Sequence, residues 1–347
     1  MKKQCAYFLL LAALWSGSAF ADKVVFLPLD NTIAVAAHKG WADEAFAPFG
    51  YKVKTVDLST VKISGATAAM LDRGDLNFSS AMAYMATDYK LNGFDTKVIW
   101  AAQPTIRKSV LVFGLKDSPY KSIADLKGQT IGSIRYCCGY AAALEIFNHA
   151  GYNIDTDLKK GAVRVWVAPS STAIQQALLA GKIQGASDHL QVTANTEAYL
   201  QGLYRVIDTL PENSVYQRYG GRAYYFGTVK WIDAHPELAQ AFARLVDKTR
   251  SWVMNPANRE EAAQILAKDL RIPIGVARFQ NANQEWSSLA LSERSWDKTV
   301  ESLKQCEKEY RNLGEPLYLK KSLNDKDLEA FVDKRFFEGG QYSAFGN

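Results

Sequence analysis

Ser122-Ile123-Ala124-Asp125-Leu126-Lys127-Gly128-Gln129-Thr130-Ile131-Gly132 carries a short helical turn, over Ile123–Leu126, into a strand over Thr130–Ile134. Around this stretch a pattern of strands and helices begins a second time. An apolar strand, Val110–Leu115, precedes it. A helix from Tyr140 to Ala150, stopped by Gly151, follows it. Next come a strand at Val163–Val167, a helix from Ser171 or Thr172 to Gly181, and a strand at Gln184–Ser187. Upstream the same alternation has already run once. Its strands are Val24–Leu27, Tyr51–Leu58, Leu76–Ser79 and Val98–Ala101. Its helices pass through Ala34–Trp41, Gly65–Leu71 (closed by Gly74) and Ala81–Lys90. Strands alternating with helices predict an α/β protein with mixed, mostly parallel sheets. Each unit has the size of a domain. Ala223–Thr228 again reads as strand, and beyond His235-Pro236 the chain turns helical. No low-complexity linker separates the units, so hinge strands near Val110–Gly114 and Tyr219–Gly227 are expected to join two lobes.

Composition sets outer limits. Lys2 and Lys3, the apolar run Ala6–Trp15 and Ala19-Phe20-Ala21 have the order of a secretory signal, and the run is too short to span a bilayer. Residues 1–21 are therefore expected to be removed. Cys5 stands before the apolar run and not at the cleavage point, so it is not placed for lipid attachment. The content of 48% hydrophobic and 22% charged residues is that of an ordinary globular protein. The net charge of +5, which falls by two with Lys2 and Lys3, is too mild and dispersed for nucleic acid. Of the four cysteines, Cys137, Cys138 and Cys306 would remain after processing. Three cannot all pair within one chain, so no disulfide scaffold is implied.

Several segments in this order carry a likeness. They are His38-Lys39-Gly40-Trp41 with Phe49-Gly50-Tyr51, Leu71-Asp72-Arg73-Gly74-Asp75-Leu76-Asn77-Phe78, and Ser118 through Gly132. Ala177-Leu178-Leu179-Ala180-Gly181-Lys182-Ile183-Gln184-Gly185-Ala186 and Ala234-His235-Pro236-Glu237-Leu238 complete the set. Together they resemble the NMT1/THI5-like solute-binding proteins for nitrate, sulfonates, taurine and thiamine precursors. Gln184-Gly185 departs from that family's usual aspartate-alanine ending. The resemblance implies a type II periplasmic binding clamshell, with residues 22–112 plus 222–347 as lobe one and 113–221 as lobe two. It also implies a periplasmic, monomeric protein that takes one small molecule to the permease of an ABC importer, with no cofactor, no metal and no turnover.

In open α/β sheets ligands sit beyond the carboxyl ends of strands, where helix N-termini favour anions. Four segments have that position. These are the loop with Asp30 and Asn31, the pair Ser79 and Ser80, the loop Arg135-Tyr136-Cys137-Cys138-Gly139-Tyr140, and Asp188-His189. Ser79 and Ser80 equally suit helix N-caps. Arg107 and Arg222 flank the expected hinge strands and complete the candidate set. Helix starts with arginine point to a small organic anion, a sulfonate or carboxylate. Tyr136 and Tyr140 also suit a pyrimidine or another aromatic ligand.

Three readings of Cys137-Cys138 stand open. They can be small buried thiols. They can be bonded to each other in a strained ring, since neighbouring Cα atoms lie only about 3.8 Å apart. They can form a metal or thiol-reactive site, the weakest of the three because His149 and His189 lack a metal spacing. A cysteine enzyme using Cys138 with His149 is disfavoured by their separation along one helix. A ligand sensor would share the same fold.

Overall fold

The computed structural model describes residues 23–58, 66–91, 93–102, 110–134, 138–220, 223–283, 295–312 and 323–342. The expected signal segment lies outside them, as do Arg107, Arg135, Tyr136, Cys137 and Arg222.

The chain opens with β1 (Lys23–Pro28), α1 (Asn31–His38), α2 (Trp41–Phe46) and β2 (Tyr51–Val56). Next come α3 (Ala66–Arg73), β3 (Ser79–Met82), α4 (Ala83–Leu91) and β4 (Thr96–Ala101). The middle holds β5 (Val110–Leu115), β6 (Thr130–Ser133), α5 (Cys138–His149), β7 (Ile154–Asp155) and β8 (Val163–Val167). It continues with α6 (Ser171–Leu179), β9 (Gly185–His189), α7 (Thr193–Leu200) and β10 (Tyr204–Thr209). After a π-helical turn at Tyr216–Gly220 come β11 (Ala223–Thr228), α8 (Val229–Ala234), α9 (Pro236–Met254) and α10 (Arg259–Asp269). The last helices are α11 (Ile274–Asn283), α12 (Trp296–Asn312) and α13 (Asp325–Phe331).

The middle elements build one six-stranded sheet in the order β10-β5-β9-β6-β8-β7. Its strand β5 shows why the layers form. Val110 and Val112 point to one face, where α5 packs with Ala141, Leu144 and Phe147. Leu111 and Phe113 point to the other, where α6 and α7 pack with Ile174, Ala177 and Ala198. A strand covered on both faces reads as a continuous apolar run. The flanking elements build a β1-β2 pair and a three-stranded sheet, β3-β11-β4. Asn77 ties these two together: Phe26 N donates to Asn77 Oδ1 (2.6 Å), and Asn77 N donates to Phe26 O (3.0 Å).

The α/β class and the mixed sheets agree with the sequence reading. β6 pairs in parallel with β8 and β9, β7 with β8, and β1 with β2. β5 is antiparallel to both β9 and β10, and β11 is antiparallel to both β3 and β4. These two strands begin where the chain passes from one sheet to the other, between 102 and 110 and between 210 and 222. A strand that re-enters a sheet from outside can run against its neighbours, which alternation alone does not encode.

The third strand lies at Ser79–Met82, later than Leu76–Ser79, because Asn77 is held by β1 and the ladder to β11 begins at Ser79. α9 buries Leu238, Phe242, Leu245, Val246 and Val253 along one stripe, with Pro236 at its first turn. Phe242 stacks on Phe78 at 4.0 Å between centroids. The C-terminal segment returns to the three-stranded sheet, where Asp333 N donates to Val98 O (2.9 Å) beside the Val98–Val332 bridge.

Candidate functional site

β1 ends in Pro28, and the chain turns through Asp30 into α1. Asp30 is the N-cap: its Oδ1 accepts from Thr32 N (2.9 Å) and Ile33 N (3.0 Å). Its Oδ2 accepts from Ser80 Oγ (3.0 Å), on β3, and from Tyr225 OH (2.6 Å), on β11. One carboxylate thus gathers three elements. Burial pushes its pKa up, against the hydrogen bonds from Tyr225, Ile33 and Ser80 and the positive charge of Arg250. The Tyr225 phenol is held well above its ordinary value by burial and then by the charge of Asp30.

This geometry changes the reading of the first loop. Two of the α1 amides expected to meet an anion already meet the side chain of Asp30. Asn31 is the first residue of the helix and half-buried. Ser79 and Ser80 are strand residues facing Phe226 and Tyr225 across the ladder, so they are not helix caps. Ser79 is buried, whereas Ser80 keeps partial exposure beside Asp30.

In the other sheet, α5 starts at Cys138 directly beyond β6. Cys138, Gly139 and Tyr140 are all buried. A Cβ on Gly139 would meet Ser187 O at 2.4 Å, so this glycine admits the backbone of β9 to the helix. Ser187 Oγ donates to Gly139 O (2.7 Å), and Ser133 Oγ donates to Ser187 O (2.9 Å), which ties β6, β9 and α5 at one end.

Asp188 and His189 are the last two residues of β9, paired with Leu111 and Val110, and not a loop after it. Asp188 is only 1% exposed and accepts from Asn195 Nδ2 (3.1 Å), which also donates to His189 O (2.9 Å). The structure therefore groups Asp30, Asn31 and Ser80 at one strand end and Cys138, Tyr140, Asp188 and His189 at another. It draws Ser79 and Asp188 inward.

Glu145, which sequence reading passed over, is a buried carboxylate on α5 that accepts from Val215 N and Tyr216 N (both 2.8 Å). Burial raises its pKa against hydrogen bonds from Ser214 and those two amides and the charge of Arg218. A single acid in the apolar run Ala141–Phe147 was the available signal. Cys306, on α12, is a free buried thiol whose pKa is raised well above its ordinary value, first by burial and then by Glu307 and Glu145.

Cys138 and His149 occupy the first and last positions of α5, roughly 16 Å apart at helical rise, which rules out direct proton transfer between them. Among the described residues no group of three His, Cys, Asp or Glu side chains could hold a metal, and no helix is long and apolar enough to cross a membrane.

The family described as NMT1/THI5 like matches residues 32–259. The chain belongs to the NMT1/THI5-like family. No curated protein matches this family member in sequence. Its fold is similar to that of the alkanesulfonate-binding protein SsuA from Xanthomonas axonopodis pv. citri bound to MOPS. That likeness has a TM-score of 0.69 at 12% identity, covering 89% of this chain and 97% of that one. It is also similar to the periplasmic nitrate-binding protein NrtA from Synechocystis PCC 6803 (TM-score 0.64, 13% identity, 90% and 86% covered). A Candida albicans gene product with the generic periplasmic binding protein fold gives a TM-score of 0.64 at 13% identity, covering 90% and 96%. The NMT1/THI5-like chain thus has the periplasmic binding protein fold.

Proposed function

We propose that this NMT1/THI5-like protein is the solute-capturing component of an ABC importer. Exported to the periplasm and freed of residues 1–21, it closes two lobes over one small molecule and presents it, as a monomer, to a membrane permease. The lobes are 22–112 with 222–347, and 113–221. The observation that carries this reading is that the chain runs twice between the six-stranded sheet and the flanking strands, and that in each part a helix starts beyond a strand end. One is Asp30–Asn31 after β1, the other Cys138–Tyr140 after β6.

The ligand is a small organic anion, a sulfonate or carboxylate, gripped at the start of α5 with Arg135, Arg107 and Arg222 as its cations. Two of the similar folds carry sulfonate and nitrate ligands in their names. A second reading is favoured by Asp30. The half-buried Ser80 gives its proton to the carboxylate, as does the buried Tyr225 behind it, so the Ser80 oxygen can only accept. A wall of that kind suits a ligand with N–H donors, such as an aminopyrimidine, over a bare oxyanion.

A thermal-shift screen decides between them. A ligand that binds only the folded state at a hundred times its Kd stabilises it by about 2.7 kcal/mol. Sulfonates, carboxylates and nitrate raising the melting temperature would support the anion reading. A rise with aminopyrimidines alone would select the second. No rise with any of them would remove solute capture of either class.

A further inference from the structure

β9 ends in the buried Asp188 and the half-buried His189, and the chain then turns through Leu190–Val192 into α7. That turn is gripped by α11, a helix of the opposite body. α11 is anchored to α10 by the Arg278–Glu260 ion pair (2.6 Å) and by Asn281 Nδ2 donating to Arg259 O (2.8 Å). α10 in turn packs on α1, where Ala262, Ala263, Ile265 and Leu266 share a core with Ala34 and Val35.

From this anchorage Gln280, only 6% exposed, donates through Nε2 to Gln191 O (2.7 Å) and to Thr193 Oγ1 (3.3 Å). Gln191 answers by donating from its Nε2 to Asn283 O (2.5 Å). The Tyr199 and Phe279 rings lie alongside, 5.7 Å between centroids. These two glutamines reach each other's elements across 89 residues of sequence. None of the groups that make these hydrogen bonds is charged, so the bonds themselves are not screened by salt.

We propose that Gln280 and Gln191 are positioning residues. They hold the turn behind Asp188–His189 against α11 and thereby set how far the two lobes stand closed. The proposal rests on the two-lobe capture reading and adds the element that governs closure. Neutral hydrogen bonds of this kind are individually modest, so the latch can open and close reversibly. Losing one shifts an open–closed ratio roughly fivefold to tenfold.

The test needs no ligand. In the free protein, Gln280→Met keeps the side chain's length without its donor, and Gln191→Ala removes the reciprocal bond. Hydrogen exchange at 189–196 and the scattering radius of gyration are read for each variant and the pair. Exchange there should rise roughly fivefold to tenfold, with the radius increased and exchange in α10 unchanged. A grip made by packing alone would be kept by Gln280→Met, and the proposal would be lost. Unchanged exchange and radius in the double variant would also overturn it. If the variants open while no solute in the thermal-shift screen binds, the latch stands and the capture reading falls.

Discussion

At the scale of the residue, Asp30 carries the most. Its four hydrogen bonds hold α1, β3 and β11 to one carboxylate. Asp30→Ala leaves two helix amides and two hydroxyls without their acceptor and should cost about 2–4 kcal/mol in urea unfolding, whereas Asp30→Asn keeps one acceptor and should cost less. The raised pKa fixes a pH dependence. A carboxyl whose folded pKa lies above its unfolded value binds more protons in the native state, so its stabilisation is complete below the unfolded value and is lost as pH rises through the folded one. The loss begins above the ordinary 3.8 of Asp30 and 4.5 of Glu145. Urea midpoints followed upward from that range should decline, and Asp30→Asn and Glu145→Gln should each flatten the decline; a rise would contradict the assignment. Asp125 and Glu260 have lowered pKa values and act below the ordinary range with the opposite sign, so the two trends separate. Cys306 offers a further check: buried and with its pKa raised, it should resist alkylation in the native protein and react promptly in denaturant. Rapid native labelling would show that α12 does not cover it.

At the scale of the element, α5 is the member on which the proposed site depends. Its start is pressed to β9 through Gly139 and its middle holds the return segment through Glu145. Gly139→Ala inserts a methyl where 2.4 Å separates the new carbon from Ser187 O, so α5 and β9 must part, at a cost of about 1–3 kcal/mol in thermal or urea unfolding. A variant as stable as the parent would mean that the two elements do not meet this closely. Phe242→Ala, on α9, removes a fully buried ring stacked on Phe78 and should cost about 3–5 kcal/mol by the same measurement. These contacts also mark the limits of reading elements from sequence. α9 was legible because its apolar spacing matches the helical repeat. The third strand was displaced because its start is set by Asn77 bonding to Phe26, 51 residues away. Asp188 looked like a loop residue, yet β9 extends over it because β5 supplies a partner for two more residues.

At the scale of the whole molecule, one apolar core runs through all three sheets, joining Val25, Phe78 and Phe242 to Val112, Ile131 and Phe147. Shared burial of that kind couples the two bodies, so calorimetry should record a single cooperative transition. Two separate heat peaks would show that the bodies unfold independently. The sequence by itself determined the class, the order of nearly all strands and helices, and the family, because periodicity, glycine stops and turn motifs are local and survive in one dimension. It also named the strand ends where candidate residues gather. Only the tertiary structure decided which of those residues remain available. Asp30 spends its oxygens on α1, Ser80 and Tyr225, Gly139 makes room for Ser187, and Gln280 meets Gln191. Each of these is a partnership between distant segments. Hydrogen-bond capacity is consumed by whatever neighbour the fold supplies, and no local pattern records that neighbour.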